Sequence, residues 1–163
     1  MLMKLQKCVK IGNKYFNNII RVHVSGDFFS QDYFDAWLEI AKNNPHILFY
    51  GYTKALPFWV KRLKQMPSNL RLAASRGGTH DHLIEKYKLR SVTVVQSLQE
   101  AKDLRLPLDH DDSLLYGSNK SFALLIHGQQ PKGTEIAKTW RKLIKQGIGG
   151  YGVQRDGRTG YFH

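Results

Sequence analysis

The sequence predicts an α/β fold in which about five or six strands form a parallel sheet, arranged as an open sheet or a partial barrel. Two observations predict this class. Short apolar runs rich in β-branched residues alternate with segments of helical periodicity about five times along the chain. Polar or charged residues also follow these runs directly, which is typical of parallel strands whose carboxyl ends share one edge. The repeated units are too few for an eight-stranded barrel.

The first predicted strand–helix unit begins at Ile19 and supplies the first candidate residue of a site. Its apolar run, from Ile19 to Val24, stops at Ser25-Gly26-Asp27. Gly26 permits a tight turn and the close approach of a ligand, and Asp27 follows the strand at its carboxyl end. Asp27 is therefore the first candidate catalytic residue. A helix should then begin after Ser30, a good N-cap, with its packing face formed by Phe34, Trp37, Leu38 and Ala41.

Four further strands are predicted, each followed by a helix, over 46–54, 69–75, 92–97 and 122–126. Lys54 and Ser75 end the first and second of these strands and His127 follows the last, so all three are expected at the same edge as Asp27. Lys54 and His127 are therefore candidate catalytic residues. Gly77 and Gly78 precede a helix after the strand at 69–75. Their N–H groups are candidates for binding a phosphate, although paired glycines are also ordinary turn residues.

The segment 109–113, Asp-His-Asp-Asp-Ser, is the densest cluster of metal-binding side chains in the chain. Alternate carboxylates of this segment could bind Mg²⁺ or Mn²⁺ together with a carboxylate at the sheet edge. The candidate metal ligands are thus Asp27, Asp111 and Asp112, and His110 is a candidate catalytic residue. The same pattern also predicts an acidic turn that caps a helix. Both interpretations stay open on the sequence.

Charge is the strongest global signal, because 25 Lys and Arg against 13 Asp and Glu give a net charge of +12. No acidic residue lies between Glu39 and Asp81, and a second basic group recurs at helical spacing near the C-terminus. We therefore expect binding to polyanions, above all to nucleic acid. A basic surface that serves only solubility is the alternative. The candidate phosphate-binding residues are Lys54, Lys61, Arg62, Lys64, Arg76, Gly77, Gly78, Lys138, Arg141, Lys142 and Lys145.

The chain divides into three predicted parts. Residues 1–18 form a basic N-terminal arm or edge strand, 19–147 a single α/β domain, and 148–163 a glycine-rich C-terminal hairpin or tail through which an oligomer could form. No apolar run approaches the roughly 20 residues that span a bilayer, and no signal peptide is recognisable. We therefore expect a cytoplasmic protein without a membrane partner. Cys8 is the single cysteine, so an internal disulfide is excluded.

From Arg21 to about Arg141 the chain resembles the phage family called gene product eighty-eight. The resemblance is carried by 21–37 (Arg-Val-His-Val-Ser-Gly-Asp-Phe-Phe-Ser-Gln-Asp-Tyr-Phe-Asp-Ala-Trp), 49–54 (Phe-Tyr-Gly-Tyr-Thr-Lys), 75–78 (Ser-Arg-Gly-Gly), 109–113 (Asp-His-Asp-Asp-Ser) and 127–133 (His-Gly-Gln-Gln-Pro-Lys-Gly). It implies a phage or prophage origin, and hence the host-cell cytoplasm, but it brings no known activity.

A second likeness is to radical S-adenosylmethionine enzymes, in which a Gly-Gly-Glu segment after a strand contacts the amino group of the cofactor. Ser25-Gly26-Asp27 stands at the similar place here. Longer proteins that look similar carry several cysteines upstream of this strand. Because this chain has Cys8 alone, we expect no iron–sulfur cluster.

These observations favour a phage-encoded basic protein that binds nucleic acid mainly through phosphate contacts, with DNA and RNA equally compatible. One alternative is a metal-dependent enzyme that acts on a phosphate-containing substrate at the strand edge. The other is a phage protein that binds an acidic host protein through the same basic surface.

Overall fold

The structure is a computed structural model, and it describes residues 9–11, 13–126 and 134–147. Its strands are β1 (Val9–Ile11), β2 (Lys14–Phe16), β3 (Asn18–Arg21), β4 (Ile47–Thr53), β5 (Leu70–Ser75), β6 (Ser91–Val95), β7 (Leu108–Asp109) and β8 (Phe122–Leu125). Its helices are α1 (Gln31–Asn43), α2 (Leu56–Val60), α3 (His82–Tyr87), α4 (Leu98–Asp103), α5 (Ser113–Gly117) and α6 (Glu135–Lys145), with a 3-10 turn at Leu63–Gln65.

The chain separates into two compact units. The first unit comprises Met1–Ser91 with Leu115–Asn119, and the second comprises Val92–Leu114 with Lys120–His163. Strands β3, β4 and β5 are adjacent and parallel in the first unit. In the second unit, β8 lies between β6 and β7 and is parallel to both. The predicted α/β fold is therefore confirmed, with six parallel strands.

In the first unit, α1 packs on one face of the sheet as its sequence pattern predicts. Ser30 caps the helix, because its hydroxyl accepts a hydrogen bond of 3.1 Å from the Tyr33 N–H. Phe34, Leu38 and Ala41 are buried against the sheet, where they join the core that includes Phe49 of β4. Burial of this apolar face stabilises the unit.

The second unit repeats the pattern on a smaller scale. Its core holds Val95, Ala101, Ala123 and Leu125, all almost fully buried. The hydroxyl of Ser97 caps α4 by accepting a bond of 3.1 Å from the Glu100 N–H. The predicted strands over 92–97 and 122–126 are thus present, as β6 and β8, with ends shifted by one or two residues.

The structure corrects one prediction of secondary structure and adds detail at two other places. Strand β3 ends at Arg21 and does not continue to Val24, because His23 has a left-handed φ of 61° and turns the chain out of the sheet. Val24 is consequently 86% exposed. The part of the N-terminal arm that is described, from Val9, is an antiparallel hairpin of β1 and β2. Strand β7 was not predicted, and helix α5 was predicted only by the capping interpretation of 109–113.

Other predictions lie outside the described residues, namely His127 and the C-terminal hairpin or tail at 148–163. Residues 19–147, which the sequence predicts as one domain, are divided between the two units. Within the described ranges, no helix is both long enough and apolar enough to cross a membrane.

Candidate functional site

Asp27 lies at the centre of a hydrogen-bonded junction between two strand ends. Its Oδ1 accepts bonds from the Thr53 hydroxyl at 2.6 Å and from the Phe28 N–H at 2.7 Å, and its Oδ2 accepts from the Lys54 N–H at 2.7 Å. Bonds to a carboxylate are shorter and stronger than bonds between neutral groups. The Asp27 side chain therefore ties the loop after β3 to the end of β4.

Gly26 makes this junction possible. Its φ of +81° lies in the left-handed region, which side chains other than glycine adopt with strain. A Cβ atom built on Gly26 would meet no atom within 4 Å, so the backbone faces open space. The glycine is required by the backbone conformation and leaves the approach to Asp27 unobstructed.

A cavity of about 300 Å³ opens at the carboxyl ends of the first-unit strands. Its lining residues come from the ends of β4 and β5 and from the loop after β3: Gly26, Asp27, Tyr52, Thr53, Lys54 and Ser75. The structure thus brings together Asp27, Lys54 and Ser75, which the sequence places at the same sheet edge. Parallel α/β sheets commonly hold their ligands in this position.

Lys54 supplies a cation at the rim of the cavity. Its Nζ lies 3.3 Å from the carbonyl oxygen of Gly77, and the residue is exposed. Among the described residues, no carboxylate lies within 4 Å of its ammonium group. The charge of Lys54 is therefore available to an anionic ligand.

The paired glycines after β5 already have an anionic partner. The N–H groups of Gly77 and Gly78 donate to the two carboxylate oxygens of Asp81, at 2.8 and 3.0 Å. Gly77 also has a left-handed φ of +92°, a conformation that favours glycine. A phosphate would have to displace Asp81 to use these two donors.

Two of the predicted phosphate-binding arginines also have carboxylate partners. Arg62 donates two bonds to Asp35, at 2.8 and 2.6 Å, and Arg76 donates to Glu85 at 2.7 Å. Because a paired guanidinium must give up its carboxylate to bind a phosphate, these residues are weaker candidates. Lys61 and Lys64 are exposed, with no ion pair in the part of the chain that the structure describes.

We expect the Asp35–Arg62 pair to stabilise the fold near neutral pH and to lose this contribution in acid. The hydrogen bond from Arg62 is the largest cause that lowers the pKa of Asp35 below its ordinary value. The pair's contribution is thus present above about pH 4 and is lost as the pH falls through the lowered pKa. In Asp35→Asn, the free energy of unfolding should fall less steeply below pH 4, as measured by urea unfolding across pH. Arg62→Gln should weaken the same dependence of the free energy of unfolding on pH. An unchanged pH dependence below pH 4 in both variants would contradict this role of the pair.

The acidic segment of the second unit caps a helix. Buried Asp109 accepts bonds from the Leu114 N–H at 3.0 Å and from the Ser113 hydroxyl at 3.4 Å, while Asp111 accepts from the Ser113 N–H at 3.1 Å. Ser113 and Leu114 are the first residues of α5. Asp109 and Asp111 therefore cap this helix, as the second interpretation of the sequence predicts. The hydrogen bonds from Ser113 hold the pKa of Asp111 below its ordinary value.

The remaining candidates for metal chemistry are placed as follows. Asp27 belongs to the first unit, whereas Asp111 and Asp112 belong to the second. Asp112 is buried with a left-handed φ of 64°, and His110 is exposed. Among the described residues, no group of three or more His, Cys, Asp or Glu side chains is arranged to hold a metal ion.

Helix α6 presents the predicted row of cations to solvent. All four members are exposed: Lys138, Arg141, Lys142 and Lys145. Ala137 and Leu143 are buried on this helix, whereas Ile144 is 46% exposed. Lys138 forms an ion pair of 2.6 Å with Glu135. The other three cations form an uninterrupted basic surface on this helix.

Sequence reasoning missed a set of arginines on the sheet of the first unit. Arg21 lies in β3, Arg71 lies in β5, and Arg90 directly precedes β6. The signal that could have found them is the period-two alternation of a strand. Each of Arg21 and Arg71 interrupts an apolar run at one position, which indicates that alternate residues face a different environment.

Comparison with known proteins identifies relatives of this chain. The model of a family described as Gene product 88 matches residues 6–146. The Gene 88 protein of Mycobacterium phage L5 is 37% identical over 54 residues, which are 33% of this chain and 23% of that protein. The chain therefore covers less than a quarter of the length of this curated relative. No solved structure matches the chain.

Proposed function

Because the chain belongs to the gene product 88 family of phage proteins, we propose that it binds nucleic acid mainly through phosphate contacts, with Lys54 and the cavity beside it as the principal phosphate site. The observation that carries the proposal is the exposed Lys54 ammonium at the rim of a cavity of about 300 Å³, without a described carboxylate within 4 Å. An unpaired cation in a concave site attracts anions more strongly than one on a flat surface.

The other groups around the cavity suit a phosphate ligand. Ser75 brings a hydroxyl group to the lining, and hydroxyls donate hydrogen bonds to phosphate oxygens in many protein–DNA complexes. The hydroxyl of Thr53, by contrast, is already bonded to Asp27. Asp27 adds a negative charge, but its oxygens already accept three bonds from within the protein. The lining therefore offers hydrogen-bond donors to a ligand, and its single carboxylate is already hydrogen-bonded within the protein.

Surface cations extend the proposed contact beyond the cavity. Lys61 and Lys64 lie in the same unit as Lys54 and are exposed. The row on α6 is a second basic surface in its own unit. With a net charge of +12, such surfaces favour binding to the phosphate backbone with little discrimination between bases. We place this function in the cytoplasm of the host cell.

We expect Lys54→Gln to weaken binding of a short single-stranded oligonucleotide and to reduce the dependence of binding on salt. Removal of one phosphate contact should lower the slope of log K against log salt concentration by about one. Fluorescence anisotropy at several salt concentrations, with DNA and RNA probes, measures both quantities.

The matched control for this experiment is Lys86→Gln, which removes the same charge from an exposed position on α3 outside the cavity lining. It should leave the salt slope nearly unchanged. Equal effects of the two variants would indicate that charge acts only globally. Failure of the wild type to bind either probe at low salt would refute the proposal.

The alternative functions receive less support from the same geometry. A Mg²⁺- or Mn²⁺-dependent enzyme would need Asp27 as a ligand, at the expense of bonds that its carboxylate makes to Thr53 and to Lys54. An acidic host protein would contact the exposed lysines as a nucleic acid does. Pull-down from nuclease-treated lysate separates these two partners, since only a protein partner survives the treatment.

A further inference from the structure

The loop between β3 and α1 carries two apolar side chains that are open to solvent. Val24 is 86% exposed and Phe29 is 76% exposed, and in the part of the chain that the structure describes no other large apolar residue is exposed to this extent. Phe28, the neighbour of Phe29, is buried in the core of the first unit. The core therefore takes up one of these two phenylalanines and leaves the ring of the other accessible to a ligand.

The ring of Phe29 is held in place by Tyr33. The two rings are stacked, with centres 4.5 Å apart and planes inclined by 18°. Tyr33 is fixed in turn, because its hydroxyl lies 3.0 Å from Nε2 of His23, and the His23 ring packs edge-on against Phe28 at 4.7 Å. One face of the Phe29 ring is thus covered, while most of the residue stays exposed. A preordered ring with an open face loses little conformational entropy when another ring stacks on it.

The exposed ring adjoins the cavity that holds Lys54. Phe29 follows Asp27 by two residues, so their Cα atoms are at most about 7.6 Å apart. Asp27 lines the cavity, and its carboxylate accepts the hydrogen bond from the Lys54 N–H at 2.7 Å. The Phe28 N–H also donates to Asp27, at 2.7 Å, which fixes the chain between the carboxylate and the ring. A ligand with a phosphate at Lys54 therefore has an aromatic surface within reach of its next group.

The size and surroundings of this surface indicate a single uncharged planar group as its ligand. A buried aromatic side chain covers about 150–250 Å², whereas a stable protein–protein interface covers about 800 Å² on each partner. Phe29 and Val24 together are too small to form such an interface. The charged residues nearest to Phe29 in the chain, Asp27 and Asp32, are acidic and disfavour a phosphate over the ring. A nucleobase meets both conditions.

An exposed ring of this kind selects an unpaired base. In a duplex both faces of each base pair are covered by the neighbouring pairs, so a protein ring finds no open face. Proteins that bind single strands combine cations along the backbone with aromatic side chains on which the bases stack. Lys54 and Phe29 provide one group of each kind.

We propose that Phe29 stacks on one unpaired base of a single-stranded nucleic acid whose phosphate lies at Lys54. The inference rests on the proposed function, because Lys54 supplies the phosphate contact. It deepens that function by naming a single strand, and not a duplex, as the ligand.

The test compares three probes of equal length by fluorescence anisotropy at low salt, namely a single-stranded oligonucleotide, its duplex and an abasic strand. Phe29→Ala should raise the dissociation constant of the single strand at least about fivefold, the lower end of the contribution of one stacked base. The constants of the duplex and of the abasic strand should change less than about twofold, since neither offers an open base to the ring. An equal rise for the abasic strand would overturn the proposal. So would an unchanged constant for the single strand, which is the result expected of a ring that serves a protein partner.

Two further substitutions at Phe29 separate stacking from general apolar contact. Phe29→Leu keeps an apolar side chain without a ring and should weaken single-strand binding nearly as much as Phe29→Ala, whereas Phe29→Trp should retain it. Because Phe29 is largely exposed, urea unfolding of these variants should match the wild type, so that a loss of binding is not a loss of fold. Single-strand binding of Phe29→Leu at wild-type strength would refute stacking.

The matched control is Tyr15→Ala. Tyr15 is 61% exposed on β2, which leads into the amino end of β3, whereas the cavity lies at the carboxyl ends of the strands. Its removal should change the dissociation constant of the single strand less than about twofold, because no cation of the cavity adjoins it. A loss equal to that of Phe29→Ala would show that exposed rings act without regard to position and would refute the site.

Salt dependence distinguishes this inference from the proposed function. The Phe29 ring carries no charge, so Phe29→Ala should leave the slope of log K against log salt concentration unchanged, while Lys54→Gln lowers it. Single-strand binding that depends on Lys54 but not on Phe29 would refute this inference alone. Binding that depends on Phe29, but neither on Lys54 nor on salt, would refute the proposed function and support the stacking contact. Displacement of the strand by an equal concentration of a nucleoside monophosphate would identify a free nucleotide as the ligand and overturn the assignment to a single strand.

Discussion

Replacement of Asp27 by alanine will lower the free energy of unfolding by about 2–4 kcal/mol. The variant removes the acceptor of three hydrogen bonds, one of them from the hydroxyl of Thr53, which is 1% exposed. Two backbone N–H groups, at Phe28 and Lys54, lose their partner at the same time. Unsatisfied donors of this kind cost more than a hydrogen bond contributes when it is made. Urea unfolding followed by circular dichroism measures the change.

The Asp27→Asn variant separates shape from hydrogen bonding. Its amide oxygen can still accept from Thr53 and Phe28, but its NH₂ group would face the Lys54 N–H, a contact of two donors. We therefore expect an intermediate loss. The control is Asp32→Ala on the exposed side of α1, which should cost less than about 1 kcal/mol.

The result for Asp27 also bears on the choice between structural and chemical roles. If Asp27→Ala keeps the stability of the wild type, the carboxylate does not hold the loop to β4. Its oxygens would then be free for a metal ion or a substrate, and the enzyme hypothesis would gain support. A large loss of stability instead assigns Asp27 to the architecture of the cavity, with Lys54 as the group that meets the ligand.

Replacement of Arg90 by glutamine will lower the free energy of unfolding by about 3 kcal/mol or more. Arg90 donates bonds of 2.6 Å to the Leu115 carbonyl and 2.9 Å to the Leu72 carbonyl, and another to Ser118. These bonds connect the Leu115–Asn119 segment to strand β5. Without them, three carbonyl groups lose a charged donor.

Two effects of Arg90→Gln on the free energy of unfolding oppose each other. Their magnitudes decide whether the variant is less or more stable than the wild type. Loss of the buried charge relieves desolvation and repulsion from Arg71, the same causes that lower the pKa of Arg90 to about 10. Each carbonyl left without a donor costs roughly 1–3 kcal/mol. Three such losses outweigh the relief from one lowered pKa, so destabilisation should prevail.

Arg90→Lys tests whether geometry or charge matters more. A lysine keeps the charge but cannot place donors on three carbonyls in one plane, so most of the loss should remain. Hydrogen exchange should show weakened protection in Leu115–Asn119 and β5. Arg105→Gln, an exposed arginine, should stay within about 0.5 kcal/mol of the wild type. Wild-type stability of Arg90→Lys would show that charge alone suffices.

Much of the fold could be predicted because its signals are local. The hydroxyl of Ser30 and the spacing of Phe34, Leu38 and Ala41 act within one helix, and both were confirmed. The end of β3 was predicted wrongly at Val24. The turn at His23 is part of the path that brings Asp27 to the end of β4, and that contact joins residues 26 positions apart in sequence.

The candidate site, too, could be predicted only in part. The order of strands and loops predicted that Asp27, Lys54 and Ser75 share one edge, since parallel strands leave their carboxyl ends together. The partners of the charged groups were not predictable. Asp81 binds the glycine N–H groups, and Asp35 binds Arg62, only because the folded chain brings these side chains into reach.

The sequence by itself determined the α/β class, the positions of most strands and helices, and the excess of positive charge. These properties follow from periodicity and composition, which any stretch of chain carries within itself. Only the tertiary structure decided which charges remain available to a ligand. Among the described residues, Lys54 forms no ion pair with a carboxylate, while Arg62 and Arg76 each pair with one. The physical reason is that pairing of charges depends on distances between segments remote in sequence, and folding alone sets those distances.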